Sequence, residues 1–330
     1  MEQYLAVLSK QLFAAQERCE SIYVGGGTPT LFDLDKLERF TGLLMDCFKP
    51  DNDTEISIEA NPETLDKEKV AFLRQHYTRL SMGIQSFDPG SRERIGRRCS
   101  QAKLLEAVEL VQAAKFPHWN CDLIYSLPGQ TLEMWENELH QTAACGADHI
   151  SCYALTPEEN SALGGEFVED DEREAEFYHV AQNVLSGYGI NRYEISNYAK
   201  AGCACRHNKN VWQGGLLRGF GPSAAGFDGR KRMIEVDSLD RWLRGDEPEI
   251  DEIAPEARLN EIFAVNLRTV DGWTPEAWQK VPGADTWDAR CDAAKKLQKF
   301  FPDALHLEPT RIKLTENGLL FWNMIAQELF

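Results

Sequence analysis

Basic residues are scarce in this chain: 35 Lys and Arg stand against 53 Asp and Glu, a net charge of -18. Gripping a nucleic-acid backbone takes clustered Lys and Arg, so no nucleic acid is expected as a partner. Long apolar runs are missing too. No stretch reaches the roughly 20 residues needed to cross a bilayer, and Met1-Glu2-Gln3-Tyr4 opens without the basic and apolar segments of a signal peptide. The expectation is a cytoplasmic protein with no integral membrane segment. The nine cysteines are an odd and scattered set, which suits reduced thiols better than a disulfide framework. There is no low-complexity tract, and no Ser-His-Asp or Cys-His nucleophile arrangement stands out.

What is present centres on Tyr23-Val24-Gly25-Gly26-Gly27-Thr28-Pro29-Thr30. A short apolar strand, Ile22-Tyr23-Val24, runs into three glycines and then into an amphipathic helix starting near Asp33, with Leu34, Leu37, Leu44 and Phe48 on its apolar positions. Glycines strip the turn of side chains and open positive φ, so a ligand can lie against bare amides. No Gly-Lys-Ser/Thr follows, which excludes a P-loop, and Thr30 stands where the dinucleotide fingerprint needs its third glycine.

Strand and helix patterns alternate as far as residue 197. Strands are expected at 55–59, 79–85, 120–125, 149–155 and 190–195, and helices at 66–75, 100–115, 132–145 and 171–187, the last with Phe177, Ala181 and Val184 inward. Such alternation means parallel strands with right-handed crossovers. Polar residues recur where strands end: the glycine turn, Glu59, Gln85 and Asp122. Several strand ends contributing together favours a barrel or partial barrel, whose active face lies at the strand C-termini, over an open sheet with one switch point. Three divisions are expected: a partial (β/α) barrel over 1–197, a functional loop region and connection over 198–237, and a helical domain over 238–330. In the last, a hairpin near 306–314 followed by a helix capped at Thr315, with Phe321, Ile325 and Leu329 on one stripe, looks winged-helix-like.

Each polar strand end has more than one reading. Glu59 can accept hydrogen bonds from a ligand's amine or hydroxyls, or simply be solvated. Gln85 closes an apolar strand, where a buried amide needs partners. Asp122 sits inside Cys121-Asp122-Leu123-Ile124, a place that is costly for a carboxylate unless it pairs with an arginine such as Arg97 or with a ligand hydroxyl. Cys203-Ala204-Cys205-Arg206-His207 has the look of a zinc knuckle, but structural zinc takes four ligands and no second knuckle follows, so no metal site is expected from it. His207 with Trp212 could instead meet a planar ligand. The acidic runs Glu158-Glu159 and Glu169-Asp170-Asp171-Glu172 read as solvated faces.

Together, Gly25-Gly26-Gly27-Thr28-Pro29-Thr30, Glu59-Ala60-Asn61-Pro62, Ser81-Met82-Gly83-Ile84-Gln85-Ser86-Phe87 and Asp122-Leu123-Ile124-Tyr125-Ser126-Leu127-Pro128-Gly129-Gln130-Thr131 resemble, in order and spacing, the radical S-adenosylmethionine enzymes of the coproporphyrinogen oxidase family. Cys205-Arg206-His207-Asn208-Lys209-Asn210-Val211-Trp212 is similar to the HNxxYW motif of that family's haem-chaperone branch, HemW. The resemblance implies a partial (β/α) barrel with a C-terminal extension. It implies S-adenosylmethionine as cofactor, with Gly25, Gly26, Gly27 and Thr28 at its amino end and Glu59, Gln85, Arg97 and Asp122 on its methionyl or ribose groups. It further implies a [4Fe-4S] cluster that reduces the sulfonium to release a 5′-deoxyadenosyl radical, haem as a ligand with His207 as candidate contact, and an unidentified haem-acceptor protein. Oxygen-independent coproporphyrinogen III oxidase and a non-catalytic haem- or S-adenosylmethionine-binding protein are the alternatives.

Three features depart from the family pattern. No CxxxCxxC cluster motif occurs in residues 1–330; in the family it belongs to the first barrel strand, so the expected barrel misses that strand and the cluster site. Val211 stands where the motif has tyrosine. Ala225 stands where a related segment often has histidine.

Overall fold

The computed structural model describes residues 2–15, 17–156 and 170–329. Glu158, Glu159 and Glu169 of the acidic runs lie outside them. The chain divides into two compact units, one of Cys19–Thr41 and Pro50–Cys205, the other of residues 1–18, 42–49 and 206–330. The sheet-bearing unit thus starts after the first helix and runs past residue 197 to Cys205.

Its sheet contains β1 (Ser21–Val24), β2 (Glu55–Ala60), β3 (Arg79–Gln85), β4 (His118–Tyr125), β5 (His149–Ala154), β6 (Asn191–Arg192) and β7 (Asn197–Ala199), in the order β1-β2-β3-β4-β5-β7-β6. The first five pair in parallel. On β3 the buried Leu80, Met82 and Ile84 alternate and so share one face of the sheet, while Ser81 and Gly83 between them border the cavity at the C-terminal strand ends. The crossover helices are set by ordinary caps: Asp66, Ser100 and Thr131 each accept from the main-chain N–H three residues on, at Lys69, Lys103 and Met134.

The parallel series ends earlier than the sequence pattern suggests. The stretch expected as a sixth parallel strand, 190–195, breaks at Glu194. This buried carboxylate accepts from Ser196 N at 3.0 Å and from Asn197 Nδ2, folding the chain back on itself. Residues 191–192 and 197–199 therefore pair with each other, and 197–199 pairs with β5, both in antiparallel fashion. On the helix Asp171–Ser186, Leu185 rather than Val184 is buried beside Phe177 and Ala181.

In the second unit, the helix Glu2–Ala14 buries Leu5, Leu8 and Leu12, the face its spacing predicts. The stretch read as helical or irregular holds a three-stranded antiparallel sheet of β8 (Ala225–Phe227), β9 (Lys231–Ile234) and β10 (Glu249–Glu252), with β9 central. Helices Pro255–Asn266 and Trp287–Phe300 precede a hairpin of β11 (Leu305–Glu308) and β12 (Arg311–Leu314). Trp273 bridges to Ile312 and meets Trp278 edge-on at 5.0 Å, and Trp278 meets Phe263 the same way at 5.8 Å. The final helix is two short ones, Glu316–Leu320 and Trp322–Gln327, and the break between them leaves Phe321 half exposed while Ile325 stays buried. No helix among the described residues is long and apolar enough to cross a membrane.

Candidate functional site

The C-terminal ends of β1 to β5 surround a cavity of about 450 Å³. Its walls include Gly27, Thr28, Glu59, Gln85, Arg97 and Asp122, six of the residues singled out in the sequence, together with Tyr23, Asn61, Ser81 and Tyr153. Gly25 and Gly26 flank it on the turn after β1. His207 lies in the other unit, half-buried on the helix Arg206–Trp212.

The glycine turn is held against the end of β2. Glu59 Oε1 accepts from Tyr23 OH at 2.9 Å and Oε2 from Gly26 N at 3.1 Å. A Cβ at Gly25 would stand 2.7 Å from Tyr23 Cε1 and 2.8 Å from Glu59 Oε1. Gly25 is therefore required by close approach, whereas Gly26 and Gly27 supply φ of 80° and 64°. Asn61 Nδ2 donates to Thr28 Oγ1 at 2.8 Å, and Lys69 Nζ donates to Thr30 O at 2.8 Å, fastening the rest of the turn.

Gln85 ends β3 with φ of 67°, where the register with β4 slips. A non-glycine residue in this region carries local strain, and it turns the amide back over Gly83, where a Cβ would lie 2.8 Å from Gln85 Nε2 and 3.0 Å from Asn61 Oδ1. The loops that follow β3 and β4 are tied by one buried carboxylate. Glu138 accepts from Ser86 Oγ, from Asp88 N at 3.1 Å and from Gln130 Nε2 at 3.2 Å.

Asp122 projects from mid-β4. Its Oδ2 accepts from Ser81 Oγ at 2.9 Å and its Oδ1 from Asn120 Nδ2 at 2.7 Å. With that amide donating, Asn120 Oδ1 accepts from Ser151 Oγ and from His149 Nδ1, and His149 Nε2 meets Tyr193 OH at 2.9 Å. Burial holds His149 neutral, so it can donate at Nδ1 and accept at Nε2.

The electrostatics of the cavity are lopsided. Glu59 and Asp122 have neutral partners, and neither joins an ion pair among the described residues. Burial raises both carboxyls above their ordinary range, with the hydrogen bonds from Tyr23 and Gly26 opposing at Glu59 and those from Ser81 and Asn120 opposing at Asp122. Arg97, one expected partner for Asp122, is exposed where it borders the cavity. A site with two such carboxylates favours a ligand that brings positive charge.

A profile of the radical SAM superfamily matches residues 4–141. The haem chaperone HemW of Synechocystis is 30% identical over 301 aligned positions, covering 86% of this chain and 72% of the relative. The chain belongs to the radical SAM superfamily, in its HemW branch. HemW of Bacillus subtilis is 28% identical over 353 aligned positions, covering 98% of this chain and 90% of its own length. The solved coproporphyrinogen III oxidase HemN of Escherichia coli, itself a radical SAM enzyme, superposes with a TM-score of 0.83 at 18% identity, covering 99% of this chain and 82% of that one. The likeness to HemN is one of fold: a (β/α) partial barrel with a C-terminal extension.

Sequence reasoning missed Tyr23, Asn61, Ser81 and Tyr153. Tyr23 lay inside a short run taken as uniformly apolar, although its burial alternates with Ile22 and Val24. Asn120 supports Asp122 from the same strand, and Ser151 and His149 brace Asn120 from β5, a relation that only the register creates.

Proposed function

We propose that this chain holds S-adenosylmethionine in the cavity at the strand C-termini and acts as a haem chaperone that passes haem to an acceptor protein. The observation that carries the cofactor reading is the pair of carboxylates, Glu59 and Asp122, which face a cavity of about 450 Å³ and join no ion pair among the described residues, with the exposed Arg97 at its border. S-adenosylmethionine brings an ammonium and a sulfonium, and the bare glycine turn leaves room for its amino-acid end.

The residues divide the work by chemistry. Gly25, Gly26, Gly27 and Thr28 present main-chain groups and a hydroxyl to the amino-acid end. Glu59 accepts from the ammonium, exchanging its hydrogen bond from Gly26 N for a charged donor. Gln85 and Arg97 offer N–H groups to the carboxylate, and Asp122, aimed by Ser81 and Asn120, accepts from the ribose hydroxyls. Tyr23, whose phenol is kept protonated by burial and by Glu59, donates and so fixes the Glu59 rotamer.

The family's [4Fe-4S] cluster, when bound, supplies one-electron reduction of the sulfonium. Among the described residues no three cysteines come together and none lines the cavity, so these cysteines do not fit that group and the reading is one of cofactor binding.

Haem transfer rests on the relatives named as HemW haem chaperones and on the HNxxYW-like helix. There Trp212 carries the Arg268 guanidinium 3.9 Å from its ring centroid, with His207 as the contact to haem iron. Haem titration followed by absorbance tests this half. His207→Ala is expected to weaken uptake about tenfold, and an unaltered titration discards His207 as a ligand.

A further inference from the structure

At the end of the sheet away from the cavity, three potential metal ligands from separate stretches meet. His118 opens β4, Asp148 immediately precedes β5, and Cys203 lies in the loop after β7. One ligand atom from each falls within 4.8 Å of the others, and all three residues are half-buried. Asp122, which borders the cavity, is four residues further along the same strand as His118, about 13 Å away at strand rise.

The cluster is built rather than incidental to a loose surface. Asp148 Oδ1 accepts from Trp119 N at 3.1 Å, which leaves Oδ2 facing His118 Nδ1 at 2.8 Å. The loop bearing Cys203 is anchored to the same place: Lys200 N donates to Asp148 O at 2.9 Å, Cys203 N to Lys200 O at 2.9 Å, and Arg79 Nη2 to Cys203 O at 2.8 Å. The Arg79 charge is matched by Glu55 at 3.2 Å, so it does not oppose a cation with an uncompensated charge.

We propose that His118, Asp148 and Cys203 form a zinc site at the N-terminal end of the sheet. One thiolate sulfur, one imidazole nitrogen and one carboxylate oxygen suit a borderline-soft divalent ion, and not magnesium or calcium, which take oxygen ligands alone. Tetrahedral zinc separates its ligand atoms by about 3.3 to 3.7 Å. The ion therefore replaces the His118–Asp148 hydrogen bond, parts those atoms by roughly half an ångström and displaces the Cys203 thiol proton to solvent. Water takes the fourth position, reached from the exposed side of His118, whose side chain is 31% accessible. The site is independent of S-adenosylmethionine and of haem.

The test uses the full chain, treated with chelator and titrated with Zn²⁺ against a chromophoric competitor, and with Co²⁺ as an optical stand-in. One equivalent of either metal is expected, with a sulfur-to-cobalt charge-transfer band. Cys203→Ser should abolish the band and weaken Zn²⁺ at least tenfold. His118→Gln should weaken Zn²⁺ to a similar extent with the thiol retained, and it decides the matter if Cys203→Ser does not fold. Cys291→Ser, in the other unit, should change nothing. Absence of stoichiometric Zn²⁺ binding in the wild type, a band that survives Cys203→Ser, or unchanged affinity in His118→Gln would overturn the site and leave His118–Asp148 as a strand-capping hydrogen bond.

Discussion

Glu55 and Glu59 sit on one strand, four residues apart, in opposite circumstances. At the N-terminal end of β2, Glu55 faces Arg79 at 3.2 Å, both almost wholly buried. At the C-terminal end, Glu59 receives hydrogen bonds from Tyr23 and Gly26, and Asp122 on β4 receives them from Ser81 and Asn120. The fold closes one end of the sheet with a matched ion pair and leaves the other end with carboxylates that join no ion pair among the described residues. A matched pair serves the folded state; an unmatched one serves a ligand that supplies the missing charge.

The largest way to break this contrast is at the matched end. Arg79→Met leaves Glu55 buried without its cation and should cost about 3–5 kcal/mol of stability, read as a lower urea midpoint. Changing Glu55 to Met as well should recover most of that loss. If the single variant is as stable as wild type, the pair is not what closes that end.

At the unmatched end a smaller effect tests shape. Gly25→Ala drives a Cβ into Tyr23 and Glu59 and should weaken S-adenosylmethionine about tenfold, roughly 1.4 kcal/mol. The pH dependence sharpens the same point. Glu59 and Asp122 titrate above the ordinary carboxylate value of about 4. Without ligand, the folded state holds their protons more tightly than the unfolded chain does. Their contribution to stability therefore declines as pH rises from about 4 through the raised values. A cationic ligand reverses the preference, so S-adenosylmethionine should bind more tightly as pH rises through that window, in calorimetric titrations at stepped pH. Affinity that is flat or falls with pH would show that neither carboxylate meets the ligand's charge. Gly42→Ala is the mildest change. Its Cβ meets nothing within 4 Å on the helix Leu34–Phe48, and it should add about 0.5–1 kcal/mol with unchanged ligand affinity.

The five parallel strands and their helices were legible because apolar runs, breakers and capping residues all agree there. The cavity's glycine turn, Glu59, Gln85 and Asp122 were legible because polar groups at the C-termini of parallel strands are out of place in a core. Other features were hidden by physics that the pattern does not encode. Glu194 folds the chain back through its own side chain, which turns an expected sixth parallel strand into two antiparallel pieces. β10 is exposed along its length, so it shows no buried alternation to read. His118, Asp148 and Cys203 are far apart in sequence and meet only through the strand order β4-β5-β7. The close pair Cys203 and Cys205 drew attention instead, yet Cys205 is buried against Glu55.

The most direct measurement is isothermal titration of the chain with S-adenosylmethionine, comparing wild type with Glu59→Ala and Asp122→Ala. Saturable binding is expected in the wild type, with each variant weaker by about tenfold to a hundredfold, as loss of a charge-assisted hydrogen bond implies. Equal affinity in all three proteins would contradict the assignment of the cavity and of its two carboxylates.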